Sequence, residues 1–233
     1  RGSADLPIWA VLDQDGTETC HAASEGQGVW VAREQIGRPL GFFPCIRLIA
    51  SCVYADTQGP AGARGRLKDA GADLSDDATA TATWGVGPYK GPTSDGRIYD
   101  VEGGLADFPE PDPTELVIAG ADLIAGQYQV PIDDRAMVAC CLALDAGIPI
   151  QPGGPVNDVY QGLSGPDAVA TSATAPGGGG HARLWTGYRT IAPGVYQLKE
   201  LNSWGTGWGN GGFVWVDASR VACEWMAFAM AVK

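Results

Sequence analysis

Histidine is nearly missing from this 233-residue chain, which has His21 and His181 and no other. Chemistry that runs through an imidazole therefore has two candidates. Lysine is also sparse, at Lys68, Lys90, Lys199 and Lys233, and Lys plus Arg total 15 against 27 Asp plus Glu, a net charge of −12. Nucleic-acid binders carry a basic excess, so no nucleic-acid partner is expected, and the acidic surface repels anionic polymers. No apolar run reaches about 18 residues, so no membrane span is expected. The opening RGSADLPIW lacks the charged-then-apolar order of a signal peptide. The six cysteines include no CxxC pair and only two histidines accompany them, so the chain offers no zinc-ligand pattern. GGGG at 177–180 precedes no helical pattern and matches no phosphate-binding loop. Neither a metal nor a cofactor is expected.

What is present suffices for a sizeable core. Hydrophobic residues make up 45% of the chain, enough for one large domain or two packed lobes. In PCIRLIASCVYA, Cys45, Leu48, Ile49, Cys52 and Val53 fall on one helical face, with Pro44 suited to the first helical position. ARGRLKDAG, 63–71, reads as a shorter helix ending at Gly71. DDRAMVACCLALDAG, 133–147, reads as a helix capped by Asp133 and closed by Gly147, with Met137, Cys140, Cys141 and Leu144 on one face. Asp95–Glu115 holds seven acidic residues, one basic residue and prolines at 109, 111 and 113, and reads as a solvated crossing between lobes. From about Ala182 the pattern turns to strands: ARLWTGYRT, GVYQLKELN, GFVWV and MAFAMAV, divided by Gly, Pro or Asn. The fold class is therefore α+β, with two lobes, 1–108 mainly helical and 109–233 mainly β, and a cleft between them.

Covalent catalysis by a thiol needs a cysteine, a base and a group that orients the base. Cys20 stands apart from the other cysteines, which lie in apolar runs. It follows the Asp15-Gly16 turn signal and opens a helical stretch that Thr17 or Thr19 can cap. The positive end of a helix lowers a thiol pKa. His21 is a poor base for it, because helical neighbours point about 100° apart. That leaves His181, at a strand edge after the glycine run. In LNSWGTGWGNGGF, Asn202 precedes two Trp-Gly pairs, whose glycines permit a tight turn and whose rings shield what lies beneath.

Taken together, these three stretches resemble the papain-like cysteine peptidases. Gln14 lies six residues before Cys20, which is followed by Ala22, Ala23 and Ser24; GGHARLWTGY places His181 before a strand with Gly187-Tyr188; NSWGTGWGNGG runs from Asn202 to Gly212. His181 comes 161 residues after Cys20, slightly beyond the roughly 130–150 typical of such peptidases. The resemblance implies a two-lobe fold with a helical lobe carrying the nucleophile and an antiparallel, β-barrel-like lobe carrying His181 and Asn202. It implies a cysteine endopeptidase working through a thiolate–imidazolium pair and an acyl-enzyme: Cys20 as nucleophile, His181 as general acid and base, Asn202 fixing the imidazole, Gln14 in the oxyanion hole, and Trp204 covering the His181–Asn202 contact. Glu18, Ala182 and Trp204 are the residues expected to touch a peptide or protein substrate.

The chain also departs from that pattern. Thr17-Glu18-Thr19 stands where Cys-Gly-Ser is usual, so the usual local disulfide cannot form; pairings among Cys45, Cys52 and Cys223 stay open. Glu18 replaces a cleft glycine and narrows the cleft or recruits a basic side chain. His21 replaces the usual Trp. Gly26 and Gly28 fall inside the expected central helix, where each costs about 1 kcal/mol against Ala unless it serves close packing. No clear counterpart exists for the Gly-Gly strip that pairs with substrate backbone. Two other functions fit the same sequence: a catalytically silent module that binds peptides or joins a larger assembly, and a cysteine amidase acting on cell-wall peptides. The composition suits a high-GC bacterium or its phage, and secreted or virion-associated placement rather than a membrane-embedded one. The stretch before Cys20 has no room for an inhibitory pro-segment, so removal of one or another restraint is expected.

Overall fold

Cys20–Gln35 forms α1, the helix around which the rest of the chain is arranged. The structure, a computed structural model, describes residues 2–58, 66–87, 107–109 and 126–232. On one side of α1 lie α2, Ile46–Gln58, and α3, Leu74–Trp84. On the other lies a nine-stranded sheet. With elements numbered in chain order, its path is β4 (Gly126–Gln129), β11 (Met226–Ala231), β5 (Ile150–Val156), β8 (Leu184–Ala192), β9 (Val195–Leu201), β10 (Phe213–Val216) and β6 (Val169–Ala170). Off this path, β1 (Ser3–Asp5) pairs with β8 and β7 (Gly179–Ala182) with β5. A short ladder joins β2, Arg66–Lys68, to β3, Asp107–Pro109. The helix α4, Ala136–Asp145, packs on the sheet, and α5 (Asp158–Gln161) and α6 (Ala218–Val221) are single turns.

The α+β class stands, with two refinements. The sheet is an open path rather than a barrel, and β10 pairs with β6 in parallel while the other pairs are antiparallel. The four strands read from the sequence form as β8 to β11. The segment 63–71 corrects the helical reading: Arg66–Lys68 is a strand and Asp69–Asp73 a loop, while 63–65 lie outside the described residues. Most of the acidic stretch 95–115 also lies outside them. In α2 the helix begins at Ile46, two residues beyond Pro44, and Cys45 Sγ accepts the Leu48 N–H at 3.4 Å. Asp133 accepts the Arg135 N–H at 2.8 Å just ahead of α4, and Gly147 takes φ +78° beyond its end. All six cysteines are free thiols, so the open pairings resolve to none.

Two apolar clusters flank α1. Leu12, Ala22, Val29, Ile46, Ile49 and Tyr54 fill the helical side, and Met137, Leu144, Trp185, Tyr188, Leu198 and Val214 belong to the sheet side. Gly28 makes the close approach to the sheet possible, since a Cβ there would meet Met230 Sδ at 2.0 Å. Gly26 does the same against Ile46 of α2, at 2.8 Å. No helix among the described residues is long and apolar enough to cross a membrane.

Candidate active site

Cys20 sits on the first residue of α1, partly exposed. Neither expected threonine cap forms. Thr19 has no capping side-chain bond; instead its hydroxyl meets that of Thr17 at 2.7 Å, and Thr17 Oγ1 donates to the Gln14 carbonyl at 2.6 Å. This chain of hydroxyls folds the 14–19 loop back on itself. The Asp15-Gly16 turn forms as expected, with both residues at positive φ, +46° and +78°.

His181 is on β7, opposite Gly154 of β5. Asn202 directly follows β9, and its Oδ1 lies 2.6 Å from His181 Nε2 while also accepting the Ser203 N–H at 2.8 Å. With Oδ1 as acceptor, Nε2 bears the proton, and Nδ1 is left as the ring nitrogen free to take one. Trp204 stacks on the imidazole with centroids 4.6 Å apart and planes 24° from parallel. Tyr160 and Trp208 close the aromatic cluster behind it. Both His181 and Asn202 are buried. Cys20 joins them through β7: the Ala182 N–H donates to Cys20 Sγ at 3.5 Å.

The N-terminal loop is laced to the asparagine loop. Gln14 N–H donates to Ser203 O at 2.8 Å, Gly205 N–H to Leu12 O at 2.8 Å, and Ser203 Oγ to Gln14 Oε1 at 2.6 Å. One hydrogen of the Gln14 amide is given to the Thr17 carbonyl.

Beneath His181 is an ion network with no counterpart in the sequence reading. Arg183 Nε donates to Glu200 Oε2 at 3.1 Å, its Nη2 binds the Glu224 carboxylate, and its Nη1 donates to the His181 carbonyl at 3.3 Å. Tyr160 and Trp185 each donate to Glu200 at 2.8 Å, and Arg220 pairs with Glu224 at 3.2 Å. All four charged side chains are fully buried. Two cations and two anions balance, which is how such charges survive burial.

The electrostatics run against the helix-terminus expectation for Cys20 and against a resting thiolate–imidazolium pair. Burial pushes its thiol up to about 11, with the Asp77 and Glu18 carboxylates adding to the rise and the Ala182 N–H opposing it. Burial likewise pushes His181 down to about 3, helped by the Arg183 cation and opposed by Asn202. The loss of water around the thiol outweighs the fractional charge of a helix end. Both ring nitrogens of His21 are engaged elsewhere: Nδ1 lies 2.6 Å from Asp77 Oδ1 and Nε2 3.3 Å from the Tyr54 hydroxyl.

Cys20 and His181 open on one cavity of about 440 Å³. Its lining comes from Gly153-Gly154, Gly180, Ala182 and Trp225-Met226 in the later half of the chain and from Glu18, the loop residues 70–73 and Leu74 at the start of α3. Of the residues expected to touch substrate, Glu18 and Ala182 line this cavity and Trp204 does not. The sequence reading makes the 63–71 segment a helix end and so misses the Ala70–Ala72 lining; the sequence signal for a loop is the glycine at 71, which takes φ +66°. Trp225, 61% exposed, and Gly153-Gly154 are also missed.

The fold is that of the papain-like cysteine proteases. Among solved structures, xylellain, a cysteine protease from Xylella fastidiosa, matches all of this chain and 87% of its own at a TM-score of 0.76 and 22% identity. The bromelain protease of Ananas comosus matches all of both chains at 0.67 and 15%, and procathepsin L 3 of Tenebrio molitor matches all of this chain and 70% of its own at 0.65 and 19%. No family model matches the sequence, and no curated protein matches it.

Proposed function

We propose that the protein is a cysteine peptidase that hydrolyses peptide bonds through Cys20, His181 and Asn202. The carrying observation is the 2.6 Å bond from His181 Nε2 to Asn202 Oδ1, roofed by Trp204, in the same cleft as a thiol bound to the Ala182 N–H. With Nε2 committed to Asn202, Nδ1 takes the Cys20 proton as Sγ bonds to the peptide carbonyl carbon. The oxyanion accepts the Cys20 backbone N–H and the second hydrogen of the Gln14 amide. His181 then gives its proton to the nitrogen of the scissile bond, which leaves as an amine. Water attacks the thioester with His181 as base, the acid departs, and the thiol is restored. The burial that holds both groups neutral makes His181 a base that acts during attack.

The cavity lining also suggests the ligand. Glu18 is exposed at the lip of the cavity beside the nucleophile, and we assign it to a basic side chain of the substrate. Ala182 leaves room beside His181, and Trp204 guards the imidazole.

One experiment addresses both levels. The protein is treated with an epoxide that alkylates nucleophilic thiols, the label is mapped, and wild type, Cys20→Ala and Glu18→Gln are assayed on unfolded protein, cell-wall peptides and quenched peptides with and without Arg. A single adduct on Cys20, peptide cleavage abolished in Cys20→Ala, and an Arg preference lost in Glu18→Gln are expected. Labelling spread over several cysteines would leave a silent binding module, and turnover of cell-wall peptides alone would make the protein an amidase.

A further inference from the structure

Immediately beside the nucleophile is a second polar cluster that the proposed reaction does not use. It centres on the hydroxyl of Tyr54, a fully buried residue of α2. Tyr54 Oη donates to Asp69 Oδ1 at 2.8 Å, because an ionised carboxylate can only accept. His21 Nε2 lies 3.3 Å away, and the Gly71 backbone also hydrogen-bonds the hydroxyl. One hydroxyl has one proton and two lone pairs. With its proton on Asp69, its lone pairs face the Gly71 backbone N–H and His21 Nε2, the latter donating when the imidazole is protonated on both nitrogens, Nδ1 being held by Asp77.

Each partner leads to a different part of the cleft. Asp69 Oδ2 accepts the Glu18 N–H at 2.9 Å, two residues before Cys20. His21 is the residue after Cys20, and its other nitrogen is anchored to the buried Asp77 of α3. Gly71 lines the same cavity as Cys20 and His181. The chain of bonds therefore grips both sides of the nucleophile and one wall of the groove at a single oxygen atom. No disulfide does this work, since every cysteine is a free thiol.

We propose that Tyr54 is a positioning residue for substrate binding, its hydroxyl fixing the Ala70–Ala72 wall at the correct distance from the loop that ends in Cys20. The inference rests on the reading of Cys20 as the nucleophile. Without the hydroxyl, Asp69, Gly71 and His21 each lose a partner and the wall is freed, while the His181–Asn202 bond and the thiol are untouched. The loss should appear in substrate affinity rather than in the chemistry.

Tyr54→Phe and Asp69→Asn are compared with wild type on the quenched peptide that wild type cleaves fastest, alongside Cys20 alkylation by iodoacetamide and thermal melting. Asparagine at 69 keeps an acceptor for Tyr54, and if it turns its amide nitrogen toward Glu18 it has no acceptor for that N–H. It also carries the test if Tyr54→Phe folds poorly. The expected result is KM raised roughly tenfold in Tyr54→Phe and less in Asp69→Asn, with kcat within about twofold and alkylation at the wild-type rate. An unchanged KM, whatever the melting temperature does, overturns the proposal and leaves Tyr54 a stabilising core residue. If wild type neither cleaves the peptide nor labels at Cys20, it is the peptidase reading that has failed.

Discussion

Burial pushes the Cys20 thiol up to about 11 and the His181 ring down to about 3, so between those values a charge appears only when a proton passes from one to the other. The neutral ring places no charge beside the thiol, so deleting it removes none. The pH midpoint of iodoacetamide labelling at Cys20 should lie near about 11 in wild type and stay there in His181→Ala. A midpoint at or below the ordinary value of 9 in that variant would show that burial does not govern the thiol. At this scale the trio was legible, because asparagine before Trp-Gly and histidine before a strand are local signals. The partners of Arg183 and His21 were not. Arg183 meets Glu224 across 41 positions and His21 meets Asp77 across 56, and no local pattern marks a charge destined for burial.

Among the elements, α1 and β5 were the hardest to read. Eleven of the residues in α1 are buried, including His21, Ser24, Glu25 and Gln27, because the helix is enclosed by α2, α3 and the sheet. A helix enclosed on all sides has no apolar stripe to detect. Strand β5, IQPGGPV, carries two prolines and two glycines that read as a turn. It forms because its neighbours supply the donors: the N–H groups of Arg183, Trp225 and Met230 reach the carbonyls of Pro152, Gly153 and Pro149. Its glycines make room for what lies above. A Cβ on Gly154 would come within 2.2 Å of the Glu224 carboxylate and 3.0 Å of the Glu224 Cα. Gly154→Ala should therefore displace Glu224 from Arg183 and destabilise the protein by about 2 kcal/mol, seen as a lower denaturation midpoint at unchanged slope. A midpoint equal to wild type would mean that β5 yields more readily than its packing implies.

Across the whole molecule, the helical and sheet sides are joined by buried carboxylates as well as apolar side chains. Glu25 of α1 accepts both oxygens' bonds from Gln127 of β4 at 2.8 Å. Burial first, and Asp77 second, raise its carboxyl from 4.5 to about 8. The folded state therefore holds a proton that the unfolded chain releases. Stability from this site is full below about pH 4.5 and is lost as pH rises through about 8. Glu25→Gln removes the titration, so its melting temperature should exceed that of wild type at pH 8.5 and converge with it toward pH 5. A gap on the order of 5 °C corresponds to about 2 kcal/mol in a domain of this size. A gap that does not vary with pH would show that Glu25 is ionised throughout. The net charge of −12 adds self-repulsion in the same direction.

The sequence by itself determined the α+β class, the faces of α2 and α4, the strands β8 to β11, and the choice of Cys20, His181 and Asn202 as candidates. Each depends on periodicity, turn residues or motif spacing, which are properties of short stretches. Tertiary structure decided that the sheet stays open, that 66–68 is a strand, and that Ala70–Ala72 lines one cavity with His181. It also decided that the thiol is raised rather than lowered, and that a tyrosine hydroxyl on α2 holds the nucleophile loop to the Ala70–Ala72 lining. These outcomes depend on which distant groups share a water-free interior, where desolvation and hydrogen-bond pairing outweigh local preference.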